Sequence, residues 1–112
     1  MTWTQYQNQE SKKTPHGIDV RALYEKPDAQ VMHITLKSGE KLLRHVTPVD
    51  VFFYVLEGTG VVEIGEEKQS VSKDTLIESP KNIVHAWYNE SDAPLRFLVV
   101  KTPRPEQKSK VL

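Results

Sequence analysis

Apolar and polar side chains alternate along this chain in short runs, each closed by turn-forming residues, which is the pattern of β-strands. The first run, residues 18–24, stops at Lys26-Pro27-Asp28, and residues 31–37 end at Ser38-Gly39-Glu40. Residues 51–56 end at Glu57-Gly58-Thr59-Gly60; residues 61–64 turn at Gly65 and return through 69–71. Residues 75–78 stop at Pro80-Lys81-Asn82, residues 84–88 turn over 89–94, and residues 95–102 complete the series. No stretch keeps a helical apolar period, so little or no helix is expected. The spacing predicts an all-β sandwich or barrel over residues 18–102. Residues 1–17 form a polar N-terminal arm, and residues 103–112, with two prolines, are expected as a flexible C-terminal tail.

Residues 51–56 are apolar at both parities. Successive strand side chains face opposite sides, so one set fills the interior and the other needs a second cover. The N-terminal arm, with Trp3 and Tyr6, is one candidate and can share in an interface; a second copy of the chain is the other. The two-sided stretch 95–100 would join such an interface, and a homodimer is the expected assembly.

Composition narrows the function. At 112 residues the length suits one compact domain. Fifteen basic and fifteen acidic side chains cancel, so no overall positive field favours nucleic acid or anionic lipid. The longest apolar run is far too short to cross a membrane, and the first ten residues lack the basic-then-apolar order of a secretion signal. Neither nucleic acid nor membrane is an expected partner, and the cytoplasm is the expected compartment. Without cysteine there is no disulfide framework, thiol nucleophile or thiolate metal site.

Of the four histidines, His45 and His85 lie beside strand-like runs, where an imidazole is either a hydrogen-bonded core residue or a metal ligand. His16, in Thr14-Pro15-His16-Gly17, reads as solvated, and so does the mildly basic end carrying Lys101, Arg104, Lys108 and Lys110. The spacing from Gly39 through His45, Thr47 and Val51 to Gly58 resembles the first motif of the cupin superfamily, G-x5-H-x-H-x3–4-E-x6-G. After a 15-residue gap, Asp74, Pro80, Asn82, His85 and Asn89 fall at the spacing of the second, G-x5-P-x-G-x2-H-x3-N. The resemblance to small single-domain cupins of the conserved-barrel type implies a double-stranded β-helix, a jelly-roll barrel of two antiparallel sheets.

In metal-binding cupins three His and one Glu converge inside the barrel. Carried over, His45 matches the first ligand and His85 the last, while Thr47 and Val51 stand where the second His and the Glu would be. The resemblance therefore implies an incomplete site for a divalent transition metal. Glu78 and His33 are weak candidates to complete it, but alternation sets His33 opposite the apolar Met32, Ile34 and Leu36 face, hence outward. Asp50 likewise falls on the face opposite Val51. Without a metal, the expected lining of His45, Thr47, Val51, Phe53, His85 and Trp87 suits a small, partly apolar molecule, although Phe53 and Trp87 equally suit core filling.

Three readings follow. One is a binding barrel with a degenerate metal site. Another is a metal-dependent dioxygenase or isomerase with non-standard additional ligands. The third is a structural or partner-binding barrel. Two neutral imidazoles could also serve as acid and base, so whether the protein is an enzyme stays open at this point.

Overall fold

The computed structural model describes residues 1–12, 17–106 and 109–112; His16 and Lys108 lie outside the described residues. Ten strands follow in order: β1 Asp19–Lys26, β2 Ala29–Leu36, β3 Lys41–Val46, β4 Asp50–Glu57, β5 Thr59–Ile64, β6 Glu67–Ser72, β7 Leu76–Ser79, β8 His85–Tyr88, β9 Leu95–Thr102 and β10 Lys110–Val111. A 3-10 turn, Tyr6–Asn8, precedes them. One sheet runs β1-β2-β9-β4-β7 and the other β10-β3-β8-β5-β6, with every pairing antiparallel. This is the double-stranded β-helix that the motifs imply. No helix among the described residues is long and apolar enough to cross a membrane.

The core lies between the sheets and is built by alternation. Val51, Phe53 and Val55 of β4 and Leu95, Phe97 and Val99 of β9 are buried, as are Met32, Ile34 and Leu36 of β2. Trp87 stacks on Phe97, their ring centres 4.2 Å apart, and Phe53 meets both rings edge-on. At the barrel end opposite the histidines, the β4–β5 turn presses on the β8–β9 connection. Gly58 has φ +85°, and a Cβ there would run into the Pro94 carbonyl, so both backbone freedom and lack of bulk are required.

The outer face of β4 is half-buried within one chain, and part of its sheet is covered by the N-terminal arm. His33 does point away from the barrel interior, as alternation predicts, yet it is buried rather than exposed. Tyr6 lies flat over it. The arm is fastened by Arg21, whose Nη1 donates to the Tyr6 carbonyl at 3.0 Å, and by the Lys12 N–H, which donates to the Val20 carbonyl at 2.7 Å. Trp3, the other anchor suggested by the sequence, is exposed.

Two elements differ from the reading of the sequence. β3 has no counterpart among the expected runs, because its register slips between Leu42 and His45, so its two inward residues are three apart rather than two or four. The chain beyond Thr102 also does not simply run free: β10 lies along β3, with Lys110 opposite Val46 and Val111 opposite His45.

Candidate functional site

The β3 bulge turns His45 inward, where it meets His85 from the first position of β8. The two Nε2 atoms are 2.9 Å apart, and the rings meet edge to face with centres separated by 4.3 Å. The outer contact of His45 sets the direction of the hydrogen bonds when both rings are neutral. His45 Nδ1 lies 2.8 Å from the Leu43 carbonyl, which can only accept, so in the neutral ring Nδ1 carries the hydrogen and Nε2 is the acceptor. His85 must then donate from Nε2, leaving Nδ1 to accept from the Ser79 hydroxyl at 2.8 Å. The result is one directed chain from Ser79 through His85 and His45 to the backbone of β3.

Burial, followed by the neighbouring His45 and Lys101, lowers the His85 pKa to about 3. His85 is therefore neutral near pH 7, as this hydrogen-bond chain requires. Thr47 lies alongside, with Oγ1 3.5 Å from His85 Nε2 and 2.8 Å from Ser109 Oγ, which links the site to the C-terminal segment.

The structure brings together most of the expected lining. His45, Thr47, Val51, Phe53, His85 and Trp87 are all buried. The Phe53 ring centre is 5.2 Å from that of His85 and 5.4 Å from that of Trp87, so the two aromatic residues form a packed floor beneath the pair.

The two weak candidates do not join it. Glu78 alternates outward from β7 while Ile77 and Ser79 face in, and it sits opposite Phe52 on the outer face of β4. His33 lies beneath Tyr6 on the outer side of the same sheet. Asp50 is exposed, and its carboxylate accepts the Lys81 N–H at 2.9 Å.

The metal-binding arrangement implied by the motifs is thus reduced to two imidazoles. Among the described residues no group of three His, Cys, Asp or Glu side chains is placed to hold an ion. Catalytic sites of this kind use three protein ligands. Here Thr47 offers a neutral hydroxyl, Val51 offers nothing, and His85 would have to move its proton to Nδ1 before it could coordinate through Nε2. The residues present do not fit a resident catalytic metal.

Two contributors escaped the sequence reading. Ser79 carries no motif signature; only its inward parity on a short strand marks it. Lys101, within the expected last strand yet grouped with a solvated basic end, is partly buried in β9. It shares the inward parity of Phe97 and Val99, a signal that alternation could have supplied.

A two-sheet jelly-roll with a buried histidine pair at one end defines the class of protein. The cupin-domain family profile matches residues 32–101, more than half of the chain, and the chain belongs to that family. No curated protein matches the sequence. Among solved structures, TT1209 from Thermus thermophilus is similar at 26% identity and TM-score 0.81, covering 94% of this chain and 100% of that one. The polyketide cyclase RemF from Streptomyces resistomycificus shares the fold at 15% identity and TM-score 0.85, over 100% and 85% of the respective chains. KdgF from Halomonas sp. does so at 19% identity and TM-score 0.81, over 95% and 96%.

Proposed function

We propose that this cupin is a binding barrel: it takes a small molecule at the end of the barrel occupied by His45 and His85, and the ancestral metal site has become a neutral hydrogen-bonding pair. One observation carries the reading. The Ser79–His85–His45–Leu43 chain satisfies the facing imidazole nitrogens with one another and with protein groups, without an ion. Phe53, fully buried, packs edge-on against His85 and holds that ring in place beneath the site. The protein is proposed to act in the cytoplasm and to pair as a homodimer through the outer face of β4 and β9, where Phe52, Tyr54 and Leu98 are half-buried in one chain.

A metal-dependent enzyme is the second reading, and one distance favours it. Two ligands about 2.1 Å from an ion and at a right angle would stand about 3.0 Å apart, close to the separation of the two Nε2 atoms. RemF, a neighbour in fold, is itself an enzyme by its description.

Elemental analysis of untagged protein, beside His45→Ala, His85→Ala and the double variant Thr47→His/Val51→Glu, separates the two. The binding reading expects less than one equivalent of mixed metal in the parent, little changed by either alanine, and stoichiometric uptake only in the double variant. Near one equivalent of a single transition metal in the parent, absent from both alanine variants, would overturn it.

A further inference from the structure

The inner face of the first sheet carries a cation at the same end as the histidine pair. Lys101 stands opposite Val51 across the β9–β4 ladder, and Val51 stands opposite Ser79 across β4–β7. These three residues form one inward-facing row, whose last member hydrogen-bonds His85. Val51 and Ser79 are buried, and the Lys101 chain begins in line with them. Val51 holds the place where the family motif has its carboxylate, so the row has lost an acid and contains a base.

Nothing described answers that charge. Among the described residues no carboxylate forms an ion pair with Lys101, and the ion pairs there involve Lys12, Arg21, Arg44 and Arg96. The acids closest to it in the strand ladder, Asp50 and Glu78, face outward. Burial alone shifts the ammonium, and it shifts it downward, with no acid acting in the opposite sense. A partly buried cation without a counter-ion is an unfavourable arrangement that an incoming anion would relieve.

We propose that Lys101 makes this end of the barrel a receptor for small organic monoanions, specifically carboxylates with an apolar body, the carboxylate meeting the ammonium and the body lying toward the histidine pair. The inference rests on the binding reading above and names its ligand class. Its chemistry favours a carboxylate over a phosphate. One ammonium beside the imidazole pair matches a single charge, whereas a dianion would need several converging donors.

Benzoate and benzamide, equal in shape and different in charge, are suitable probes. Each would be titrated into the full chain while the His45 and His85 imidazole signals are followed by NMR. Benzoate is expected to shift both signals and to bind at least about tenfold more tightly than benzamide. Lys101→Met should abolish that preference. It should also unfold at the parent temperature or above, since it removes an unpaired cation; Lys101→Gln provides the same comparison if the methionine variant folds poorly. Equal affinity for the two probes, or a benzoate affinity unaffected by loss of the ammonium, would overturn the role of Lys101 and leave the binding barrel standing. If neither probe moves the histidine signals, the binding reading falls, and the carboxylate proposal falls with it.

Discussion

Tyr6 lies flat on His33, with ring centres 4.1 Å apart and planes 8° from parallel. The Arg96 and Arg21 guanidinium carbons stand 4.7 and 5.6 Å from the centre of the same tyrosine ring. Burial, and after it the Arg96 charge, lowers the His33 pKa, and neither ring nitrogen has a hydrogen-bond partner among the described residues. Tyr6→Ala should therefore cost about 1–2 kcal/mol through lost stacking and cation contacts. Uncovered, His33 should titrate closer to an ordinary histidine. An NMR titration that finds the same His33 pKa in the variant and the parent would show that the arm is not its cover.

His85 gives the stability a definite pH dependence. Its folded pKa of about 3 lies below the value of 6.5 for an unperturbed histidine, so between those limits the unfolded chain binds the extra proton. The contribution is complete above pH 6.5 and is lost as the pH falls toward 3, with a slope of at most about 1.4 kcal/mol per pH unit. His33, shifted in the same direction, adds to it. Urea midpoints measured from pH 7 to pH 4 should fall in the parent and fall less steeply in His85→Phe. Parallel profiles would assign the acid sensitivity to other groups.

The Ser79 hydroxyl supports the His85 tautomer set by the Leu43–His45 contact, by donating to Nδ1. Nitrogen-15 NMR should find the proton on Nε2 of His85 and on Nδ1 of His45. Ser79→Ala leaves His85 Nδ1 buried without a donor and should cost about 1–3 kcal/mol. It should also weaken the preference for the Nε2 proton, a change that a purely packing role would not produce. An unaltered tautomer in the variant would mean that the His45 contact alone sets it.

Asn82 and Asp74 occupy the left-handed region, with φ of 64° and 68°. The Asn82 N–H donates to the Thr47 carbonyl at 2.9 Å, so this turn buttresses the site. Asn82→Gly should be neutral or stabilising by up to about 1 kcal/mol, and Asn82→Val should cost about 1–2 kcal/mol, because only the β-branched side chain clashes in this conformation. Thermal unfolding gives both signs, and a more stable valine variant would contradict the assigned backbone.

Those two residues also show what the sequence makes legible. Both stand where the second motif has glycine, and the backbone there keeps the conformation that glycine would supply. Motif spacing and turn chemistry thus preserved the fold after the side chains had changed. Alternation placed Val51, Phe53 and Trp87 inside and His33 and Asp50 outside. It failed at β3, because a bulge between Leu42 and His45 breaks the period that alternation depends on. It did not show that His33 is buried, since Tyr6 reaches it from far along the chain. The charge of Lys101 and its nearness to the tail suggest a solvated side chain, although its parity with Phe97 and Val99 turns it inward.

β10 has a further consequence. It contributes only Lys110 and Val111 to the ladder, assisted by the Leu112 N–H on the Arg44 carbonyl at 2.8 Å and by Ser109 on Thr47. Among the described residues those few bonds keep the backbone of β3 from being an open sheet edge, able to recruit a strand from another molecule. A proteolytic clip after Thr102 would convert a finished edge into an adhesive one. Clipped protein would then self-associate through β3, on the sheet opposite the proposed β4–β9 dimer face, and intact and nicked samples would form assemblies that are not interchangeable.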